Sequence, residues 1–106
     1  MITLEDFLKI ELKVAKVVEA KVHSNDDKLL VLTVDTGTEK KEVVAGIALH
    51  YSAAELLGKK LILVNNLEPA TLRGVVSNGM LLAAKEGELL SLIVPERPVA
   101  AGSTVR

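Results

Sequence analysis

Cysteine is absent from this 106-residue chain. Its absence removes disulfides, thiolate nucleophiles and the common zinc frameworks together, and it agrees with a reducing compartment. Aromatic residues are scarce: Phe7 and Tyr51 stand alone, tryptophan is missing, and the aromatic fraction is 2%. A surface that stacks one single-stranded base after another on rings is therefore excluded. Neither sign of charge dominates, with 13 Lys and Arg against 14 Asp and Glu. An anionic partner must then be met by a local cationic patch and not by the whole surface. No apolar run approaches the roughly 18 residues of a membrane span. The opening MITLEDFLKIE has neither the basic region nor the apolar stretch of a signal peptide, so a cytoplasmic protein with no membrane association is expected. Histidine occurs only as His23 and His50, in unrelated contexts. With no phosphate-binding Gly-rich loop, paired histidines or nucleophile elbow, the expectation is a non-enzyme without metal or cofactor.

What is present is alternation. Hydrophobic residues make up 49% of the chain, enough for a single domain over residues 1–106 that buries roughly 65% of its unfolded surface. From Ile10 to Val22 the even positions read Ile, Leu, Val, Lys, Val, Ala, Val, while Ala15 and Val17 interrupt a charged odd face. This predicts one long strand, bent midway, with its even face buried except at Lys16. SNDDK, Ser24–Lys28, is a turn cluster. KLLVLTVD is a second strand ending at Asp35, TGTEK a hairpin loop with Gly37 at positive φ, and KEVVAGI a third strand.

The period then changes. Ser52 as N-cap, Glu55 at the reciprocal capping-box position and Gly58 just past the end predict a short helix between Ser52 and Leu57. KLILVNN is a fourth strand, and Pro69, Gly74 and Gly79 predict an irregular connection over 67–79. MLLAA is a fifth strand, KEGE a tight turn and LLSLIV a sixth short strand. Pro95 and Pro98 hold the remainder as an extended tail. Three strands, a helix and further strands give the order of an all-β, five-stranded Greek-key OB-fold barrel with one short helix and an extended C-terminal tail, whose ligands lie across one face and its rim.

The chain resembles the tRNA-binding domain appended to many methionyl-tRNA synthetases and also found free-standing. The resemblance is carried by Asp6-Phe7, Asp27-Lys28-Leu29, Val44-Ala45-Gly46-Ile47, Gly58-Lys59-Lys60, Asn66-Leu67, Leu72-Arg73-Gly74, Ser77 and Gly79-Met80-Leu81-Leu82-Ala83-Ala84, and extends from Asp6 to about Val105. It implies a barrel that binds the outside of folded tRNA by shape, with an aminoacyl-tRNA synthetase as a further partner. Because the chain begins almost directly on the barrel and ends in an apolar tail, a free-standing homodimer is expected.

The site expected on this basis is Lys28, Lys40, Asn65, Asn66, Arg73, Ser77, Asn78, Gly79 and Met80. Arg73 can fork onto a phosphate, and Ser77 and Asn78 can meet a 2′-hydroxyl or a base edge. Gly74 and Gly79 can let the backbone approach a bulky ligand, and Met80 can lie against a base without a ring. Each also has a plainer reading: turn glycines, a first core methionine, a solvated arginine, Lys28 paired locally with Asp26 or Asp27, Lys40 as a solubilising loop charge, and Asn65 and Asn66 bonding the next loop.

Two other readings compete. Asp35-Thr36-Gly37 after an apolar run resembles the catalytic triplet of aspartic proteases, although the same residues are explained as a hairpin. The resemblance also extends to dimeric secretion chaperones of the same barrel family, which would take extended apolar peptides beside Met80 and Leu82.

Overall fold

The computed structural model describes residues 1–106. The chain runs α1 (Leu4–Leu8), β1 (Leu12–His23), β2 (Asp26–Asp35), β3 (Lys40–Ala45), α2 (Ala53–Leu56), β4 (Lys60–Val64), β5 (Ala70–Leu72), β6 (Val75–Ser77), β7 (Met80–Leu81), β8 (Ala83–Glu86), β9 (Leu89–Leu92) and β10 (Thr104–Val105). The main sheet has the order β3-β2-β1-β4-β7, with β10 added to β1. β5 with β6 and β8 with β9 form separate hairpins. Every pairing is antiparallel. The barrel closes where the Asn78 amide donates to the Glu42 carbonyl at 2.9 Å, bringing the chain after β6 onto β3.

β1 organises the fold because its two halves serve different partners. Leu12–Lys16 pairs with β4, and Lys16–His23 with β2. A register shift between Val17 and Glu19 marks the bend expected from the length of the strand. An extra residue at such a bulge reverses which side chains face inward. The core therefore holds Ala15 and Val17, with Ala20 packed against it, and Val22 is exposed. The expectation of a buried even face fails for this reason: the two odd residues that seem to interrupt the pattern are its core members.

Eleven buried apolar side chains form the core, among them Leu30, Leu32 and Val34 of β2, Val43 of β3, and Leu61 and Leu63 of β4. Leu56 of α2, fully buried, joins this cluster from the short helix. α2 forms where its capping box requires: Ser52 Oγ accepts from the Glu55 amide at 3.2 Å, and Glu55 Oε2 accepts from the Ser52 amide at 3.0 Å. Two short helices are present, not one. α1 carries its own capping box between Thr3 and Asp6 but buries none of its residues.

Two further expectations are corrected. Residues 67–79 are not irregular throughout, since β5 and β6 pair from Ala70↔Ser77 to Leu72↔Val75 around a two-residue turn, Arg73-Gly74. MLLAA is not one strand: Leu82 separates β7 from β8, its amide bonding Ile62 O at 3.2 Å and its carbonyl accepting from the Ile93 amide at 3.0 Å. The Asp-Thr-Gly triplet is a hairpin turn. Asp35 Oδ1 accepts from the Gly37 amide at 2.8 Å, and Thr36, almost wholly buried, donates its hydroxyl to Glu39 O at 3.1 Å.

Candidate nucleic-acid interface

The expected site residues fall into two groups. Arg73 and Met80 are exposed along the segment 70–81 with Asn78 half-buried between them, and Lys28 and Lys40 are exposed on neighbouring turns. Asn65, Asn66, Ser77 and Gly79 are engaged by the protein itself.

The β5–β6 hairpin carries Arg73 and Gly74 at its tip. Its turn needs positive φ at both central residues, and Arg73 (φ 51) and Gly74 (φ 88) supply it. Such a turn matches the twist of the flanking strands. Glycine adopts this conformation freely, whereas arginine there costs about 1–2 kcal/mol. Nothing lies within 4 Å of a side chain placed at Gly74, so that glycine answers to the turn and not to a neighbour. Arg73 is the one non-glycine residue in the chain with positive φ. Its side chain is 70% exposed and meets Asp26 Oδ2 through Nε at 3.5 Å. None of its N–H groups makes a hydrogen bond within the chain, which leaves the guanidinium fork available for bidentate binding of an oxyanion. Asp26 also accepts from the Lys28 backbone amide through Oδ1 at 3.0 Å, so that amide and the Arg73 guanidinium meet the same carboxylate.

The base of the hairpin opens onto a groove lined by two lysines and two glutamates, Lys40, Lys41, Glu39 and Glu42, together with Leu67, Pro69, Val76 and Asn78. Lys40 has no carboxylate within pairing distance, whereas Lys41 is held by Asn65 O at 2.9 Å and by Glu39 at 3.7 Å. Tip and base are separated by the length of a three-residue strand, roughly 10 Å.

The remaining residues do structural work. Ser77 is 4% exposed; its Oγ accepts from the Val44 amide at 2.9 Å and donates to Gly79 O at 3.1 Å. Its hydroxyl is thus unavailable to a 2′-hydroxyl, contrary to the expectation. Gly79 has φ +148, and a Cβ there would lie 2.8 Å from Leu63 Cδ1 and 3.1 Å from Val64 O. The close approach it permits is to β4. Asn66 accepts from the Glu11 amide at 2.8 Å and donates to Lys9 O at 2.7 Å. Asn65 Nδ2 donates to Glu11 Oε1 at 2.8 Å. Both asparagines therefore fasten the α1–β1 connection, an attachment 54 to 57 residues away in sequence that no local pattern reveals.

Sequence reasoning missed His23. It is 3% exposed and lies between the β1–β2 turn and the hairpin, with Nδ1 accepting from the Asn25 amide at 2.9 Å and Nε2 facing Leu72 O at 3.1 Å. Its position at the end of an apolar alternation was the available signal.

Residues 12–104 match the family model of a tRNA binding domain. A methionine–tRNA ligase of Thermotoga maritima is 50% identical over 104 residues, which cover 98% of this chain and 16% of the ligase. The chain thus spans about a sixth of that relative's length. A crystal structure of a MetRS related protein from Pyrococcus horikoshii superposes with TM-score 0.94 at 36% identity, covering 100% of this chain and 98% of that one. The chaperone CsaA of Bacillus anthracis superposes with TM-score 0.92 at 25% identity, covering 100% and 99%.

Proposed function

The chain belongs to the tRNA-binding domain family, and from that premise we propose that it binds the outside of folded tRNA through the β5–β6 hairpin and the turns beside it. The observation that carries this reading is Arg73: a guanidinium held out on a left-handed turn, without an internal hydrogen bond, beside the exposed Lys28. Arg73 and Lys28 at the tip and Lys40 at the base would contact phosphates, which positions the RNA without reading its sequence. Asn78 and Met80 supply polar and apolar contacts between them. With two aromatic residues in the chain, recognition rests on the contour of a rigid polyanion and not on stacking.

Action in trans as a homodimer, beside a synthetase, belongs to the same proposal. Apolar side chains left exposed at Leu4 and Leu8 of α1, at Leu89 and at Ile93 support a self-association surface, and sedimentation equilibrium measures it. A cytoplasmic location and a non-enzymatic role complete the reading.

Leu67, Leu72, Val76 and Met80 are exposed along the same segment. Together with the likeness to CsaA, they give a second reading, capture of an extended apolar peptide. Competition in one binding assay separates the two: mixed tRNA, single-stranded DNA and an unfolded polypeptide against the purified protein. Preference for folded tRNA, with a log-log salt slope that falls by about 0.7 to 0.9 in Arg73→Ala, supports the first. Preference for the polypeptide overturns it.

A further inference from the structure

We infer that His23 is a positioning residue of the nucleic-acid site: its single ring N–H holds the hairpin carbonyl next to Arg73 and so aims the guanidinium. The inference rests on the proposed binding of tRNA by the hairpin.

The ring's tautomer follows from its neighbours. Nδ1 faces a backbone N–H, that of Asn25 at 2.9 Å, and must present a lone pair to it. The one ring proton is then on Nε2, which donates to Leu72 O at 3.1 Å. Leu72 directly precedes Arg73. The β5–β6 hairpin pairs with no strand of the main sheet; β6 packs against β3 at the base, and the polar ties to the barrel are few. Its base is fixed by Ser77 to the Val44 amide and by the Asn78 amide to Glu42 O. At its tip the polar ties are the His23 bond and the Arg73–Asp26 pair. That pair is long and its arginine 70% exposed, and surface pairs of this kind hold little. The bond from His23, itself buried, is therefore the restraint that fixes where the left-handed turn points. A guanidinium on a freely swinging turn engages its phosphate in only a fraction of the complexes, and both affinity and salt slope fall with that fraction.

Two substitutions separate the ring's two bonds. His23→Gln places an amide N–H near the position of Nε2, keeping the bond to Leu72 while giving up that to Asn25. His23→Asn places a carbonyl oxygen near Nδ1, keeping an Asx-type bond to the Asn25 amide and leaving Leu72 O without its donor. Equilibrium binding of mixed tRNA is measured from low to physiological salt for both, for Arg73→Ala, and for Arg73→Ala combined with His23→Asn. The expected result is affinity within about twofold of the parent for His23→Gln. For His23→Asn the expectation is a loss of about fivefold, a salt slope lowered toward that of Arg73→Ala, and little further loss in the double variant.

Equal loss in both histidine variants, an unchanged His23→Asn or additive losses in the double variant would overturn the inference while leaving the hairpin as the site. Unchanged binding in Arg73→Ala would remove the site itself. Should His23→Asn fail to fold, nitrogen-15 NMR of the unaltered protein still decides: a slowly exchanging proton on Nε2 is required, and a proton on Nδ1 overturns the assignment.

Discussion

Alanine at Gly79 tests whether this glycine answers to the protein or to its ligand. The new Cβ would stand 2.8 Å from Leu63 Cδ1 and 3.1 Å from Val64 O. Neither can yield easily: Leu63 is fully buried in the core, and Val64 O is backbone in β4. Forcing a methyl group into such a site costs about 1–3 kcal/mol. The backbone adds to this, because φ +148 is a region that L-residues rarely enter, at a further 1–3 kcal/mol or so. The sum, about 2–6 kcal/mol, is a large part of the roughly 5–15 kcal/mol by which a domain is stable. Thermal midpoints of small domains move by about 4–8 °C per kcal/mol, so a fall of at least about 8 °C is expected. Gly74→Ala is the control. It too has positive φ, but a side chain there meets nothing within 4 Å, and its expected cost is about 1–2 kcal/mol. Far-UV circular dichroism in urea compares the two variants with the parent, since the chain has no tryptophan to report unfolding. A loss in Gly79→Ala no larger than in Gly74→Ala would refute the packing argument and return Gly79 to the ligand.

Ser77→Ala leaves the buried Val44 amide without its acceptor, at an expected loss of about 1–3 kcal/mol. Its urea midpoint should fall while the tRNA affinity of the folded protein stays unchanged; a loss of affinity at full folding would mean that Ser77 does meet the RNA. Asn66→Ala removes the bonds to Glu11 and Lys9 that dock α1. Because α1 buries no residue, hydrogen exchange should quicken over residues 3–11 and remain slow in the barrel. The Ser52 amide, followed by the Ser52 hydroxyl and the Lys59 charge, outweighs desolvation and holds the Glu55 carboxyl below its ordinary value of 4.5. A carboxylate lowered in the folded state stabilises it fully above that ordinary value and ceases to as pH falls through the lower, folded value. Protection of the Ser52 amide, measured against its intrinsic exchange rate, should therefore fall in that acid window, and Glu55→Gln should remove the dependence.

Local chemistry was legible and distant attachment was not. The capping box of α2, the Asp35–Gly37 hairpin and the strand order follow from residues within a few positions of one another. α1 escaped notice because its box closes on Asp6 instead of Glu or Gln, and because no amphipathic run follows it. The inward face of β1 was misread because one extra residue after Val17 reverses the alternation, which a period-two count cannot register. The β5–β6 hairpin was hidden by its turn: arginine at a positive φ is not the Asn-Gly or Asp-Gly signal by which two-residue turns are recognised. Of the candidate site, Arg73, Lys28 and Lys40 stand exposed as expected. Asn65, Asn66 and Ser77 looked like ligand contacts because a polar side chain does not disclose that its partner lies dozens of residues away.

β1 also separates what the domain grips from what it hangs on. At one end of the strand Leu12 faces Val105, so the incoming and outgoing chain share a rung of the same ladder. At the other end His23 touches the hairpin. Even with its bend, a strand of this length sets the two ends roughly 30 Å apart. Cargo fused before the first strand or after the last would leave by the same door, at the end of β1 away from the β5–β6 hairpin. A module plumbed in this way can be carried at either end of a much longer polypeptide without obstructing its own grip.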